Sequence, residues 1–196
     1  MDLVTTLLVG VPTQVGVFTL VPLAWWLQAG RPDGTLLRWL GFRFVRGGTD
    51  PAVLAAVVTC ALGFFGSALL GGPASWAAGA SGLAAVLIVP ITAVLQTALA
   101  EEIFFRGFLL RWLGEKRPGP VVANLLQASL CGVLRAAGHW LFVDRALAPC
   151  LAALALTAGS AFLAGWLRQR TGSILLPWAA HGGGNLIAGL ILVLSR

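Results

Sequence analysis

Apolar residues run along this chain in long stretches, and the interruptions between them are short and built from helix breakers. Six stretches, at roughly 3–28, 51–70, 83–111, 120–142, 147–167 and 173–194, approach the length a helix needs to cross a bilayer, about 20 residues. The breakers are Gly30-Arg31-Pro32-Asp33-Gly34, Gly71-Gly72-Pro73, Arg117-Pro118-Gly119-Pro120 and Arg170-Thr171-Gly172, each rich in residues that end helices. Between the fourth and fifth stretches only Asp144-Arg145 intervenes. The expected fold is therefore all-α, a polytopic bundle of about six transmembrane helices. Residues 1–82 would form two spans joined by a basic loop, and 83–196 a four-helix core.

Composition agrees. Of 196 residues, 58% are hydrophobic and 10% charged, against about 25% charged in soluble domains. No basic segment precedes the first apolar stretch and no small-residue cleavage site follows it, so that stretch reads as a retained span. Cys60, Cys131 and Cys150 lie in apolar runs without ligand spacing and read as small buried hydrophobes.

Charge orients the spans. Arg31, Arg38, Arg43, Arg46, Arg111, Lys116, Arg117, Arg168 and Arg170 follow the odd-numbered spans, whereas only Arg145 and Arg196 follow the even-numbered ones. The excess of cations marks the cytoplasmic side, which turns both termini outward. The net charge of +6 then serves anionic lipid headgroups. With the arginines scattered and no basic face, a nucleic-acid partner is not expected. Trp25, Trp26, Trp112, Trp140 and Trp166 fall near predicted span ends, as an aromatic belt requires. Leu36 to Arg46 reads either as a helix lying flat on the cytoplasmic face or as an ordinary basic loop.

Four charged residues, Glu101, Glu102, Arg106 and Arg135, fall in the middle of spans, as do both histidines, His139 and His181. Each buried charge costs on the order of 2.5–3.5 kcal/mol to insert, so the cluster demands a reason. Glu102 and Arg106 stand four apart and can pair on one helix face. Glu101 points about 100° away and stays free for chemistry. His181 and Asn185 form a second pair four apart, with Gly182-Gly183-Gly184 leaving a bare face for another backbone. The set supplies a carboxylate, imidazoles to share a water, and donors for an oxyanion, which suits hydrolysis of an amide or ester. The alternatives are an ion network that only braces the bundle, a packing role for His181, an interfacial role for His139, and a zinc site formed by Glu101, His139 and His181.

Glu101-Glu102-x-x-x-Arg106, a helix ending in His139, and His181-x-x-x-Asn185 together resemble the CPBP family of intramembrane proteases. That family includes the CAAX prenyl endopeptidases and the bacteriocin-processing and abortive-infection membrane proteins. The run from Gly165 to Pro177 resembles the family's approach to its last motif, and the resemblance covers about residues 83–194. It implies a glutamate-dependent endopeptidase without a cofactor, acting on a membrane-anchored or lipidated protein near its C-terminal anchor. Glu101 and His139 would activate the attacking water, His181 and Asn185 would stabilise the oxyanion, and Glu102 with Arg106 would brace the site. Zinc is the alternative cofactor, since the family was first described as metalloproteases. Where the family usually has Phe, four residues before the middle histidine, this chain has Arg135. Such an arginine is in reach of Glu101 or Glu102, and it either marks a subgroup that reads a substrate carboxylate or alters the catalytic balance.

Depth adds a direction of access. At 1.5 Å per residue, Glu101 and His181 lie ~15 and ~16 Å from the cytoplasmic ends of their spans, and His139 ~27 Å from its own. The site would sit near the midplane and open at least partly outward. That favours exported proteins with C-terminal anchors, as in myxosortase-like members, in a bacterial cytoplasmic membrane. The competing functions are a non-catalytic bacteriocin-immunity or interaction protein and a proton-coupled transporter.

Overall fold

The computed structural model describes residues 5–45, 50–71, 82–116 and 119–195, and every regular element among them is helical. We number the helices α1 (Val11–Gln28, entered through a π-helical turn at Thr6–Gly10), α2 (Leu36–Leu40), α3 (Pro51–Leu70), α4 (Gly82–Glu115), α5 (Pro120–Phe142), α6 (Leu147–Thr171) and α7 (Leu175–Leu194). All but α2 belong to segments long and apolar enough to span a bilayer, so the chain is an integral membrane protein. The boundaries fall where the breakers put them: prolines open α3 and α5, and Gly172, with φ +69°, ends α6.

The helices close into a ring. α5 packs on α6, α6 on α3, α3 on α7 and α7 on α4, while α1 leans on α4 from outside. In α1 only Pro22 is buried, so this span is largely a lipid-facing strut. Small residues and side-chain hydrogen bonds bring the ring together, as expected where lipid supplies no hydrophobic drive between helices. Ser67 and Thr157 hydroxyls join α3 to α6 at 2.7 Å. Asn124 and Gln127 amides donate to the Phe162 and Ala161 carbonyls, tying α5 to α6, and the Trp178 indole donates to Val94, tying α7 to α4. Of the three consecutive glycines in α7, one is needed for the crossing. A Cβ on Gly184 would collide with the backbone of Ala61 and Phe65 in α3, whereas one on Gly183 would meet open space.

α4 departs from regular winding. α-Helical Gly82–Pro90 gives way to π-helix over Ile91–Leu99, returns to α over Ala100–Glu102, and widens again over Ile103–Leu109. π-Helical turns concentrate at functional sites, and here they flank the two glutamates.

The basic segment after α1 is helical over only part of its length. Its helix lasts only from Leu36 to Leu40, capped by the Thr35 hydroxyl and stopped by Gly41 at φ +94°. Trp39 and Leu40 are buried against Ile103 and Phe108 of α4, so the segment plugs one end of the bundle. Arg46 and Arg117 lie outside the described residues. At this arginine-rich end Trp25 packs edge-on against Trp112 at 6.2 Å, and Arg111 donates to the Trp39 carbonyl and to Asp33. The hydrogen bond from Arg111 holds the Asp33 carboxyl below its ordinary value of 3.8.

Two outcomes follow from these contacts. Gly184→Ala should lower stability in detergent by about 1–3 kcal/mol, the range for overpacking, while Gly183→Ala should be neutral or stabilising by up to about 1 kcal/mol; equal effects in thermal unfolding would refute the assigned crossing. For Asp33, a depressed carboxyl contributes stability above its ordinary value and loses it only as pH falls through the lowered one. Hydrogen exchange of residues 30–41, corrected for intrinsic rates, should therefore match at pH 7 and pH 5, and should rise at both in Asp33→Asn. The pair is exposed, so the effect is local and not global.

Candidate active site

A cavity of about 340 Å³ lies inside the ring, and all six long helices line it. α4 contributes Glu101 and Phe105, α5 contributes Arg135 and His139, α7 contributes His181, and α3 contributes Phe64 and Ser67. The lining continues to Gly71, Phe142 and Val143, at the end opposite the arginine-rich loops. Phe18 of α1 also reaches the wall, so the cavity draws on residues from both 1–82 and 83–196.

At the base of the cavity, His181 stands between the two glutamates. Its Nδ1 is 3.0 Å from Glu102 Oε1, and its Nε2 is 3.8 Å from Glu101 Oε2. A carboxylate can only accept, so Nδ1 carries the proton and donates to Glu102. With Nδ1 as the donor, Nε2 faces Glu101 Oε2 at a distance too long for a direct hydrogen bond. A 3.8 Å gap between two acceptors is one that a single water fills by donating to both. Phe64 fixes the ring plane by stacking on it, 3.7 Å between centroids and 11° from parallel.

Glu102 sits behind the cavity, completely buried, and its Oε1 also lies 3.0 Å from Arg106 Nη1. That contact is close but out of line, since none of the Arg106 nitrogens finds a hydrogen-bond acceptor. Coulomb attraction holds the pair, aided by the faces of Phe64 and Phe105, each centred 5.8 Å from the guanidinium. A charged pair taken wholly out of water is poor as a stabiliser. Glu102 stands between the guanidinium and the His181 ring, both 3.0 Å from the same Glu102 oxygen.

The other candidates divide. His139 is buried at the cavity wall with Nε2 unpartnered. Asn185 is buried too and its Nδ2 is unpartnered, but it does not line the cavity. One turn beyond His181, it is on the helix but behind the wall. Arg135 pairs with neither glutamate, contrary to the reach inferred from sequence. Its Nε donates to Ser67 Oγ at 3.3 Å, and Ser67 in turn bonds Thr157. The hydroxyl pair lies across the cavity and captures the arginine before it can reach α4. Among the described residues, no three His, Cys, Asp or Glu side chains are gathered as a metal ion requires. The cysteines are free and buried; Cys131 lines the cavity and the Cys60 thiol donates to the Ser160 carbonyl.

Two residues here escaped sequence reading. Phe64 and Ser67 belong to the apolar run Gly63-Phe64-Phe65-Gly66-Ser67. The only signal was a hydroxyl three residues after an aromatic, too common in membrane spans to single out.

Comparison with known proteins places this geometry. The chain is 34% identical over 110 residues to the uncharacterized protein YyaK of Bacillus subtilis (strain 168), a match covering 53% of this chain and 31% of that relative. The chain thus spans about a third of that relative's length. No solved structure gives a significant match. A family profile described as Type II CAAX prenyl endopeptidase Rce1-like matches residues 83–187, more than half of the chain and the stretch that carries Glu101, His139, His181 and Asn185. On that match, the chain belongs to the Type II CAAX prenyl endopeptidase Rce1-like family.

Proposed function

We propose that the protein is a glutamate-dependent intramembrane endopeptidase. The observation that carries this reading is the meeting of Glu101, His139 and His181, from three helices, on one cavity enclosed by the bundle. Family membership supports peptide-bond hydrolysis in the membrane. The substrate is a protein presented from the bilayer, near a C-terminal membrane anchor or lipidated end, since the cavity is flanked by phenylalanines and enclosed by spanning helices.

The geometry suggests a division of labour. A water between Glu101 Oε2 and His181 Nε2 would be polarised by both acceptors, and Glu101 would take its proton as it attacks the scissile carbonyl. Glu102 keeps His181 in the tautomer that offers Nε2 to that water, and Arg106 keeps Glu102 ionised; both are positioning residues. His139 Nε2, unpartnered at the cavity wall, is placed to donate to the tetrahedral oxyanion or to the leaving amine. Asn185, behind the wall, would act through the packing of α7 and not on the oxyanion directly. Compared with the roles implied by the family resemblance, His181 moves from oxyanion to water and His139 from water to oxyanion.

The lining of the cavity extends to the ends of α3 and α5, away from the arginine-rich loops, and access would come from that end. With the cationic side cytoplasmic, that direction is outward, and exported membrane-anchored proteins are the substrate class it serves.

Glu101→Gln, which keeps the shape and removes the base, should reduce cleavage by about 10²–10⁴-fold without changing thermal stability. Proteomics of membrane-anchored proteins should then find unprocessed C-termini accumulating in the variant. Identical termini in variant and wild type would overturn the assignment, and proton-linked uptake with no cleavage product would replace it with transport. For access, Gly138→Cys places a thiol in open space on the cavity wall. An impermeant thiol reagent should label it from outside; labelling only from the cytoplasmic side would reverse the proposed opening.

A further inference from the structure

At the arginine-rich end lies a second cleft, of about 560 Å³, separated from the catalytic cavity by the buried Glu102–Arg106 pair. Four guanidiniums line it, those of Arg43, Arg106, Arg111 and Arg168, and among the described residues no carboxylate does. Their charges are unequally met. Arg111 is held by Asp33 and Glu115 at 2.8 and 3.2 Å. Arg106 is fully buried with its charge met by Glu102 at 3.0 Å, yet Nε, Nη1 and Nη2 all lack a hydrogen-bond acceptor. Arg168 is half-buried and reaches only the Leu40 carbonyl, at 3.5 Å, with its buried Nε unpartnered. The Arg43 guanidinium makes no hydrogen bond or ion pair among the described residues.

Two of these cations also crowd each other. A Cβ on Gly172 would lie 3.8 Å from Arg43 Nη1 and 4.0 Å from Arg168 Nη1, so both guanidiniums flank the same glycine. Gly41 does the same for Arg168 from the other side, where a Cβ would come within 2.7 Å of its Cζ. Gly41, at positive φ, thus leaves free the space in which the Arg168 guanidinium sits. Like charges held together at a half-buried site repel, and an anion between them turns that repulsion into attraction.

We propose that this cleft is a binding site for a phosphate group. Three guanidiniums with unmet donors approach it from three parts of the chain: α4, the segment after α2, and α6. A carboxylate offers two oxygens and satisfies one fork well, whereas a phosphate offers three or four and can accept from several forks at once. The cleft lies at the helix ends, and Arg106 extends it inward by about one and a half turns from Arg111. That depth suits the phosphate of a phospholipid headgroup seated between spans, and the same chemistry would accept a soluble phosphate. The site shares Arg106 with the peptidase reading, but its test rests on Arg43 and Arg168, which that reading does not use.

The test uses the full-length protein purified in detergent. Inorganic phosphate, titrated against chloride at matched ionic strength, should raise the melting temperature dose-dependently. Native mass spectrometry with phosphatidylglycerol should find one lipid retained. Arg43→Gln should weaken either response by about tenfold or more, the scale of one charge-assisted hydrogen bond. Arg168→Lys, which keeps the charge but loses the fork, should do the same, while Arg145→Gln at the opposite end should leave it unchanged. Lipid retention alone assigns the phosphate to a headgroup, and a response to inorganic phosphate alone assigns it to a soluble source. No response to either probe in the wild type, or a response that Arg43→Gln and Arg168→Lys leave intact, overturns the proposal.

Discussion

One buried oxygen, Oε1 of Glu102, organises the centre of this protein. It accepts from Nδ1 of His181 on α7 and lies beside the Arg106 guanidinium on its own helix. An ionised carboxylate without solvent is tolerable only with such partners, and each partner is in turn placed by the carboxylate. Arg106 flanks Glu102, Glu102 contacts Nδ1 of His181, and Nε2 of His181 faces Glu101 at 3.8 Å. This is why two adjacent glutamates serve different ends: one is sealed behind the wall and sets the histidine, and the other borders the cavity.

That arrangement depends on helices that come unusually close. The imidazole of α7 reaches two carboxylates on α4 while its ring stacks on Phe64 of α3, so α3, α4 and α7 must converge on one point. Gly184 permits the approach of α7 to α3, and the Ser67–Thr157 hydroxyl pair fixes α3 against α6. The same hydroxyl pair captures Arg135, which keeps a cation at the cavity wall without neutralising Glu101. The Glu102–Arg106 pair also divides the bundle along its length. On one side is an aromatic-lined cavity with an acid/base set; on the other is a cleft of arginines whose donors exceed their acceptors.

Much of the architecture is legible from the chain alone. Six apolar runs bounded by Gly, Pro and Arg fix six helices, because a bilayer requires each spanning segment to satisfy its own backbone hydrogen bonds. The charges within the spans single out the site for the same reason: only use or pairing justifies them in an apolar medium. Spacing alone also identifies Glu102 with Arg106, since both stand on one helix. The basic segment after α1 was less legible. Its residues suit a surface helix, yet Gly41 ends that helix after five residues and α4 offers Trp39 and Leu40 a buried seat.

The sequence by itself thus determined which side chains are charged in the membrane, which share a helix, and how many helices carry them. Only the tertiary structure decided which of those groups meet. His181 goes to the glutamates on α4, Arg135 to the hydroxyls of α3 and α6, and Asn185 behind the wall, although nothing in their spacing along the chain separates these fates. Contacts within a helix are fixed by its period, which a sequence displays. Contacts between helices are fixed by rotation, by the widened turns of α4 and by where a missing Cβ lets backbones touch, and these are properties of the packed bundle.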